Sequence, residues 1–309
     1  MRILFWGTPD FAVPSLRALD DEGFEVVGVV TQPDRPAGRG RKLTPSAVKE
    51  VATAMGVPVL TPERPRGDDF LDALRALAPD LSVVVAYGHI LRREVLDVPP
   101  LGSLNVHASL LPALRGAAPI NWAIARGHEE TGVTIMRMVE AMDAGPVLHR
   151  IREPILPGET AAELAVRLSE LGAEALVEAL ALLAAGDLAE EEQDHAAATF
   201  APKVGREVAR IAWERPAPEV AWHVRGMDAV PGAWTELDGV AVKLFRPTVR
   251  PDASGAPGEV LSADAAHGLV VATGEGAVAF GEVQPPGKRR MDARDWIHGR
   301  GVQAGQRFA

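Results

Sequence analysis

The chain contains no cysteine, and that absence removes disulfides, thiolate nucleophiles and cysteine-bound zinc together. Acid–base work falls to histidine and the carboxylates. The histidines show no His-Glu-x-x-His or comparable ligand spacing, so no metal is expected, and His89, His128, His149, His195, His223, His267 and His298 read as surface or packing residues. Long apolar runs are missing too. Met1-Arg2 is followed only by Ile3 to Trp6 before Gly7-Thr8-Pro9, far less than a signal core or a span of about 20 residues requires. A cytoplasmic protein away from membranes is expected. No Gly-x-Gly-x-x-Gly follows the first apolar run, which counts against a dinucleotide-binding dehydrogenase.

At 309 residues the chain exceeds the size at which one core usually stops growing, so two domains are expected. The net charge of −10 is unevenly spread: −11 for residues 1–202 and +1 for 203–309. Near the end Lys288, Arg289, Arg290, Arg294, Arg300 and Arg307 face only Asp292 and Asp295, a balance suited to phosphate. Local fields govern docking, so the overall acidity does not forbid an anionic partner.

Apolar runs at Ile3–Trp6, Phe24–Thr31, Pro58–Leu60 and Leu81–Tyr87 alternate with helical patterns ending at Asp21, over Pro45–Met55 and over Asp69–Ala78. Such alternation predicts an α/β fold with a doubly wound, Rossmann-like, mostly parallel sheet, whose ligands bind beyond the carboxyl ends of its strands. Glu159–Ala185 reads as one long helix packed on that sheet. An acidic, alanine-rich stretch follows, and we place a linker at 190–205 between a catalytic domain over 1–189 and a second domain over 206–309. Short apolar runs at Ala241–Phe245, Glu259–Ser262, Leu269–Thr273 and Ala277–Phe280, spaced by Gly, Pro and Asp, predict a small β-barrel. Trp122, Trp213, Trp222, Trp234 and Trp296 are expected to pack in cores.

The candidate chemistry sits at Ser103-Leu104-Asn105-Val106-His107. As a strand, this segment turns Leu104 and Val106 to one face and sets Asn105 and His107 side by side on the other. A side-chain amide can donate to a developing oxyanion, an imidazole can donate or move a proton, and Asp143 can hold that imidazole charged. Taken alone, an Asn beside a His is more often structural, and Asp143 before Ala144-Gly145 is a turn residue.

The spacing of the whole set carries more. Asn105-Val106-His107-x-Ser109-Leu110-Leu111-Pro112, then Arg115-Gly116-Ala117-Ala118-Pro119-Ile120, Gly132-Val133-Thr134 and Met142-Asp143-x-Gly145 resemble the formyltransferases that use 10-formyltetrahydrofolate. The likeness runs from Phe5-Trp6-Gly7-Thr8-Pro9 to Gly287-Lys288-Arg289-Arg290-Met291 with Asp295-Trp296-Ile297. It implies catalytic Asn105, His107 and Asp143, and a folate site bordered by Ser109, Leu110, Leu111 and Pro112, with Tyr87 and Gly88 on the pterin side. It further implies an OB-like second domain, 10-formyltetrahydrofolate as co-substrate, initiator methionyl-tRNA as acceptor, and a monomer.

Two basic segments fit such an acceptor. Asp34–Lys42 carries Arg35, Arg39, Arg41 and Lys42 among glycines, after the second strand; in isolation such a loop is merely solvated. With the resemblance, Arg39, Arg41 and Lys42 become candidate phosphate contacts, as do Lys288, Arg289 and Arg290. Ala144 and Leu114 depart from the family pattern, which has Thr and an aromatic residue there. Competing readings are an enzyme formylating glycinamide ribonucleotide or an amino sugar nucleotide, and a nucleic-acid-binding module whose first domain is idle. The basic segments weigh against the former, the intact triplet against the latter.

Overall fold

The computed structural model describes residues 1–37 and 42–309, so Arg39 and Arg41 lie outside the described residues. In chain order the first elements are β1 (Arg2–Gly7), α1 (Val13–Asp21), β2 (Glu25–Val30), β3 (Arg35–Ala37), β4 (Lys42–Thr44), α2 (Ala47–Ala54), β5 (Val59–Leu60), α3 (Asp68–Ala76), β6 (Leu81–Val85), α4 (Arg93–Leu96) and β7 (Ser103–His107). Local chemistry sets several of these limits. Pro14 opens α1, where its missing N–H leaves no bond unmade. The Ser46 hydroxyl caps α2 by accepting from the Lys49 N–H at 3.1 Å.

After α5 (Pro119–Ala125) come β8 (Glu130–Arg137), β9 (Val147–Pro154) and α6 (Ala161–Ala185). The seven-stranded sheet runs in the order β5-β2-β1-β6-β7-β8-β9. Strands β5, β2, β1, β6 and β7 are mutually parallel, and β8 returns antiparallel to β7. From β1 the chain winds outward through β2 to β5, then crosses back to β6 on the other side of β1. The switch point of this doubly wound sheet therefore lies between β1 and β6. Their carboxyl ends are tied together: the Thr8 hydroxyl donates to the Tyr87 carbonyl at 3.0 Å and Gln32 Nε2 donates to the same oxygen at 2.9 Å.

The sheet is buried as the apolar runs require. Ile3, Leu4, Phe5 and Trp6 are wholly enclosed, as are Leu81, Val83 and Val85. On α6, Leu168, Ala175, Leu176, Ala179 and Leu180 recur at helical spacing and are buried. Each such leucine contributes roughly 2 kcal/mol from burial. Gly172 gives the close approach: a Cβ there would sit 3.0 Å from Val106 Cγ1. That contact puts Val106 on the helix side of β7 and turns Asn105 and His107 the other way. The expected basic loop is in part a hairpin, because β3 pairs antiparallel with β4 through Arg35–Thr44 and Ala37–Lys42.

The contact pattern divides the chain into two compact units, 1–116 with 131–153 and 165–200, and 117–130 with 154–164 and 201–309. The second is thus assembled from three stretches rather than one. It contains α5, α7 (Ala217–Gly226), β10 (Trp234–Leu237), β11 (Val240–Arg250), β12 (Val260–Asp264), β13 (Gly268–Ala272), β14 (Ala277–Gln284), β15 (Met291–Asp292) and α8 (Ala293–His298). Its antiparallel sheet is ordered β10-β11-β14-β13-β12, with β15 on β14. The sheet curls, and the chain's last residues bridge its two edges. Phe308 N–H donates to the Gly258 carbonyl and Val260 N–H to that of Gln306 on one side, while Ala309 and Glu236 exchange backbone bonds on the other. Edge groups are thereby satisfied. Trp213 fills the centre, its Nε1 donating to Thr235 Oγ1 at 2.9 Å and its ring stacking on Phe308. The other four tryptophans named above are only partly buried.

Candidate active site

Asn105 and His107 lie at the end of β7, held between β6 and β8 by the registers Val84–Asn105, Asn105–Met136 and His107–Thr134. His107 is 5 % exposed. Its Nε2 lies 3.1 Å from the Leu114 carbonyl oxygen and its Nδ1 3.8 Å from Asp143 Oδ2. The second distance is an ion-pair separation, too long for a hydrogen bond. Asn105 is half-buried, and its side-chain amide makes no hydrogen bond among the described residues. The three predicted catalytic residues are therefore gathered at one strand end, in the crevice region of the sheet.

A neutral imidazole carries one N–H. Here each ring nitrogen faces an oxygen that can only accept, a carbonyl on one side and a carboxylate on the other. The Leu114 side chain is buried, and what serves His107 is the Leu114 carbonyl, aimed by a positive φ of 59°. The departure from an aromatic residue at this position leaves that backbone contact in place.

Asp143 lies between β8 and β9 with φ of 50°, a conformation few non-glycine residues adopt without support. Its Oδ2 accepts the Gly116 N–H at 2.8 Å. Gly145 lets the loop close, since a Cβ there would lie 2.0 Å from the Arg137 carbonyl oxygen. Gln193, which sequence reasoning passed over inside an acidic connector, donates from Nε2 to the carbonyls of Asp143 and Gly145 at 2.9 and 2.7 Å. No periodicity or motif marks it. Thr134 ties the turn after β7, donating to the Ser109 carbonyl at 2.6 Å and accepting from the Leu111 N–H at 3.1 Å.

Several candidate binding residues differ from the expectation in what they can offer. The Ser109 hydroxyl is buried and donates to the Ala113 carbonyl at 2.6 Å. Leu111 packs in a small cluster with Met136 and Val147. The single tyrosine, Tyr87, is enclosed against Trp6, and burial pushes its phenol up to about 12. These side chains are buried; Leu110, Pro112 and Gly88 are the partly or fully accessible members of the set. Gly88 has φ of 91°, and a Cβ would come 2.4 Å from Gln32 Nε2.

The basic candidates also separate. Lys42 is exposed on β4. Lys288 and Arg289 are exposed in the turn after β14. Arg290 departs from its expected role as a phosphate ligand, because its guanidinium is held within the unit. It donates to both Asp228 carboxylate oxygens at 2.7 and 3.1 Å, pairs with Glu282, and lies over the Phe245 ring. On the second unit a groove of about 550 Å³ is lined by Arg246, Arg250, His267 and Arg294 among others. Of these only Arg294 stood out in the sequence, since the rest become neighbours through strand pairing. No group of histidine, aspartate and glutamate able to hold a metal occurs among the described residues, nor any helix long and apolar enough to cross a membrane.

The doubly wound sheet thus brings an amide and an imidazole on β7 together with a carboxylate from the loop between β8 and β9. The chain belongs to the formyl transferase family: the formyl transferase model matches residues 1–180 and the formyl transferase C-terminal domain model residues 203–301. Methionyl-tRNA formyltransferase from Symbiobacterium thermophilum is 49 % identical, covering 100 % of this chain and 95 % of its own length. The enzyme of that name from Desulfotalea psychrophila is 48 % identical, covering 98 % and 94 %. Among solved structures, HypX from Aquifex aeolicus in complex with tetrahydrofolic acid superposes with a TM-score of 0.67 at 23 % identity, covering 96 % of this chain and 47 % of that one. An N-formyltransferase from Helicobacter canadensis in complex with folinic acid and dTDP-3-aminofucose gives 0.69 at 16 %, covering 90 % and 98 %. These two share the fold.

Proposed function

We infer that the protein transfers the formyl group of 10-formyltetrahydrofolate to the amino group of methionine on initiator tRNA. The observation that carries this reading is similarity over the whole chain, both units included, to proteins named for that activity. The site supplies matching chemistry. The nucleophile belongs to the acceptor, which explains how a cysteine-free chain can perform acyl transfer.

In this reading the free Asn105 amide and the protonated His107 ring donate to the oxygen of the formyl group as the amine attacks its carbon. The 3.8 Å gap between His107 Nδ1 and Asp143 leaves that ring nitrogen open to the oxyanion. Asp143 takes the proton that the amine must lose, the bond from the formyl carbon to the folate nitrogen breaks, and that proton passes to the released nitrogen. Leu110, Pro112 and Gly88 border the folate, with Ser109, Leu111 and Tyr87 shaping the wall behind. The basic segment with Arg39, Arg41 and Lys42 contacts the acceptor stem, while Lys288 and Arg289 contact phosphates elsewhere on the tRNA. The enzyme works as a cytoplasmic monomer.

The test offers the protein and formyl donor three acceptors separately: charged initiator tRNA, glycinamide ribonucleotide and a nucleotide-linked amino sugar. Formyl-methionine on tRNA is the expected product. Exclusive formylation of either small acceptor would overturn the reading.

A further inference from the structure

Asp143 is the one member of the triplet carried by a loop, and its backbone conformation is not self-supporting. What supports it is buried. Gln193 is 5 % exposed and Arg115 6 %. Arg115 donates from Nε and Nη2 to Gln193 Oε1 at 3.1 and 2.6 Å, and from Nη2 to His195 Nδ1 at 3.0 Å. That fork fixes the Gln193 amide so that its nitrogen can only point the other way, toward the Asp143 and Gly145 carbonyls. The amide orientation is thereby determined by its partners.

The segment holding Gln193 is pinned at both ends. Glu191 and Val147 exchange backbone bonds at 2.8 Å, and Arg115 N–H donates to the Thr199 carbonyl at 2.8 Å. Leu114 N–H donates to Thr199 Oγ1 at 2.9 Å. One stretch of chain therefore grips both the loop that carries Asp143 and the turn whose Leu114 carbonyl faces His107. Arg115 adds a further sign of purpose. Among the described residues it has no carboxylate partner, and a buried cation without an ion pair is costly to keep. The Gln193 amide oxygen and the His195 ring hold it instead.

We propose that Gln193, oriented by Arg115, is a positioning residue that sets Asp143 against His107 and thereby controls the rate of formyl transfer. The inference rests on the catalytic role of Asp143 given above. Gln193 touches no reacting atom. Its effect passes through the Asp143 main chain, so its loss should lower the rate of the chemical step and leave donor binding nearly intact.

The experiment is a double-substitution cycle on single-turnover formylation of methionyl-tRNA, with Gln193→Glu, Asp143→Ala and the two combined. Glutamate keeps the size and the acceptor for Arg115 but cannot donate to the two carbonyls. Gln193→Met keeps the volume, removes the donor without adding charge, and serves the same purpose if the glutamate variant does not fold. The expected result is a fall of about 10- to 100-fold from Gln193→Glu with an unchanged KM for the donor. In the Asp143→Ala background the same substitution should change the rate by less than about threefold. An equal loss in both backgrounds would make Gln193 a general structural support and overturn the proposal, as would a wild-type rate for both Gln193 variants. A wild-type rate for Asp143→Ala would instead overturn the catalytic role of Asp143, and the positioning role with it.

Discussion

The two units treat their signature residues alike, setting some out toward a ligand and turning others inward as braces. In the first, Asn105 presents an amide unpartnered among the described residues, while Arg115 and Thr134, members of the same sequence signature, are buried supports. In the second, Lys288 and Arg289 are exposed, while Arg290 beside them is bound to Asp228 and Glu282. A run of residues that travels together need not share a role. Display demands an open side chain held by its backbone; bracing demands burial and complete hydrogen bonding. Asn105 meets the first demand through its strand, while His107 on the same strand is buried and bonded to the Leu114 carbonyl. Asp143, on a loop, needs side chains from elsewhere in the chain.

The largest effect should come from the displayed groups of the first unit. His107→Ala is expected to reduce formyl transfer on the order of a thousandfold, through loss of oxyanion stabilisation. Asp143→Asn should be nearly as harmful. His107→Ala removes a buried, hydrogen-bonded ring and should also cost about 1–3 kcal/mol in thermal unfolding, while Asp143→Asn keeps an acceptor for the Gly116 N–H and should scarcely shift it; a large destabilisation by the latter would place Asp143 among the braces instead.

Arg290→Ala should do the reverse. It leaves the Asp228 carboxylate, 5 % exposed, without its cation, and a cost of about 2 kcal/mol is expected in urea unfolding, below that of a fully buried pair because Arg290 itself is 30 % exposed. Unchanged stability would mean that Arg290 is free to face a ligand after all.

Thr134→Val removes an acceptor from the Leu111 N–H and a donor from the Ser109 carbonyl with little change of shape. About 1 kcal/mol should be lost, as for a buried group left unsatisfied, and the same unfolding curves would show it. The smallest effects belong to Lys288→Ala and Arg289→Ala. Neither should alter stability, and each should lower the salt slope of tRNA binding by about 1. A salt series with the wild-type slope would remove these side chains from the interface.

Much of this architecture is legible in the sequence because it rests on repeating physics. Leu81–Val85 is apolar but for the buried Ser82 because β6 is covered on both faces, and Leu168, Leu176 and Leu180 recur at the spacing of a buried helical stripe. The side-by-side setting of Asn105 and His107 follows from the two-residue period of a strand. Other features have no such signature. Helices α5 and α7 escape a reading by periodicity because each is short and opens on a Pro in its first turn, and they pack where Gly226 admits Ala125. Strands β8 and β9 lie in polar, mixed sequence. Gln193 sits among Glu190, Glu191, Glu192 and Asp194, so composition points to solvent; only the pairing of Val147 with Glu191 brings it under the Asp143 loop. The difference between Arg289 and Arg290 is equally invisible until Asp228 is brought alongside.

The central claim is that the half-buried Asn105 amide acts on the transition state and not on the bound donor. The most direct measurement is the dissociation constant for the formyl donor and the single-turnover rate with methionyl-tRNA, taken together on Asn105→Ala. The account predicts a rate reduced on the order of 100-fold or more, with donor affinity within a fewfold of wild type. A rate near that of the wild type, or a loss matched by weakened donor binding, would contradict it.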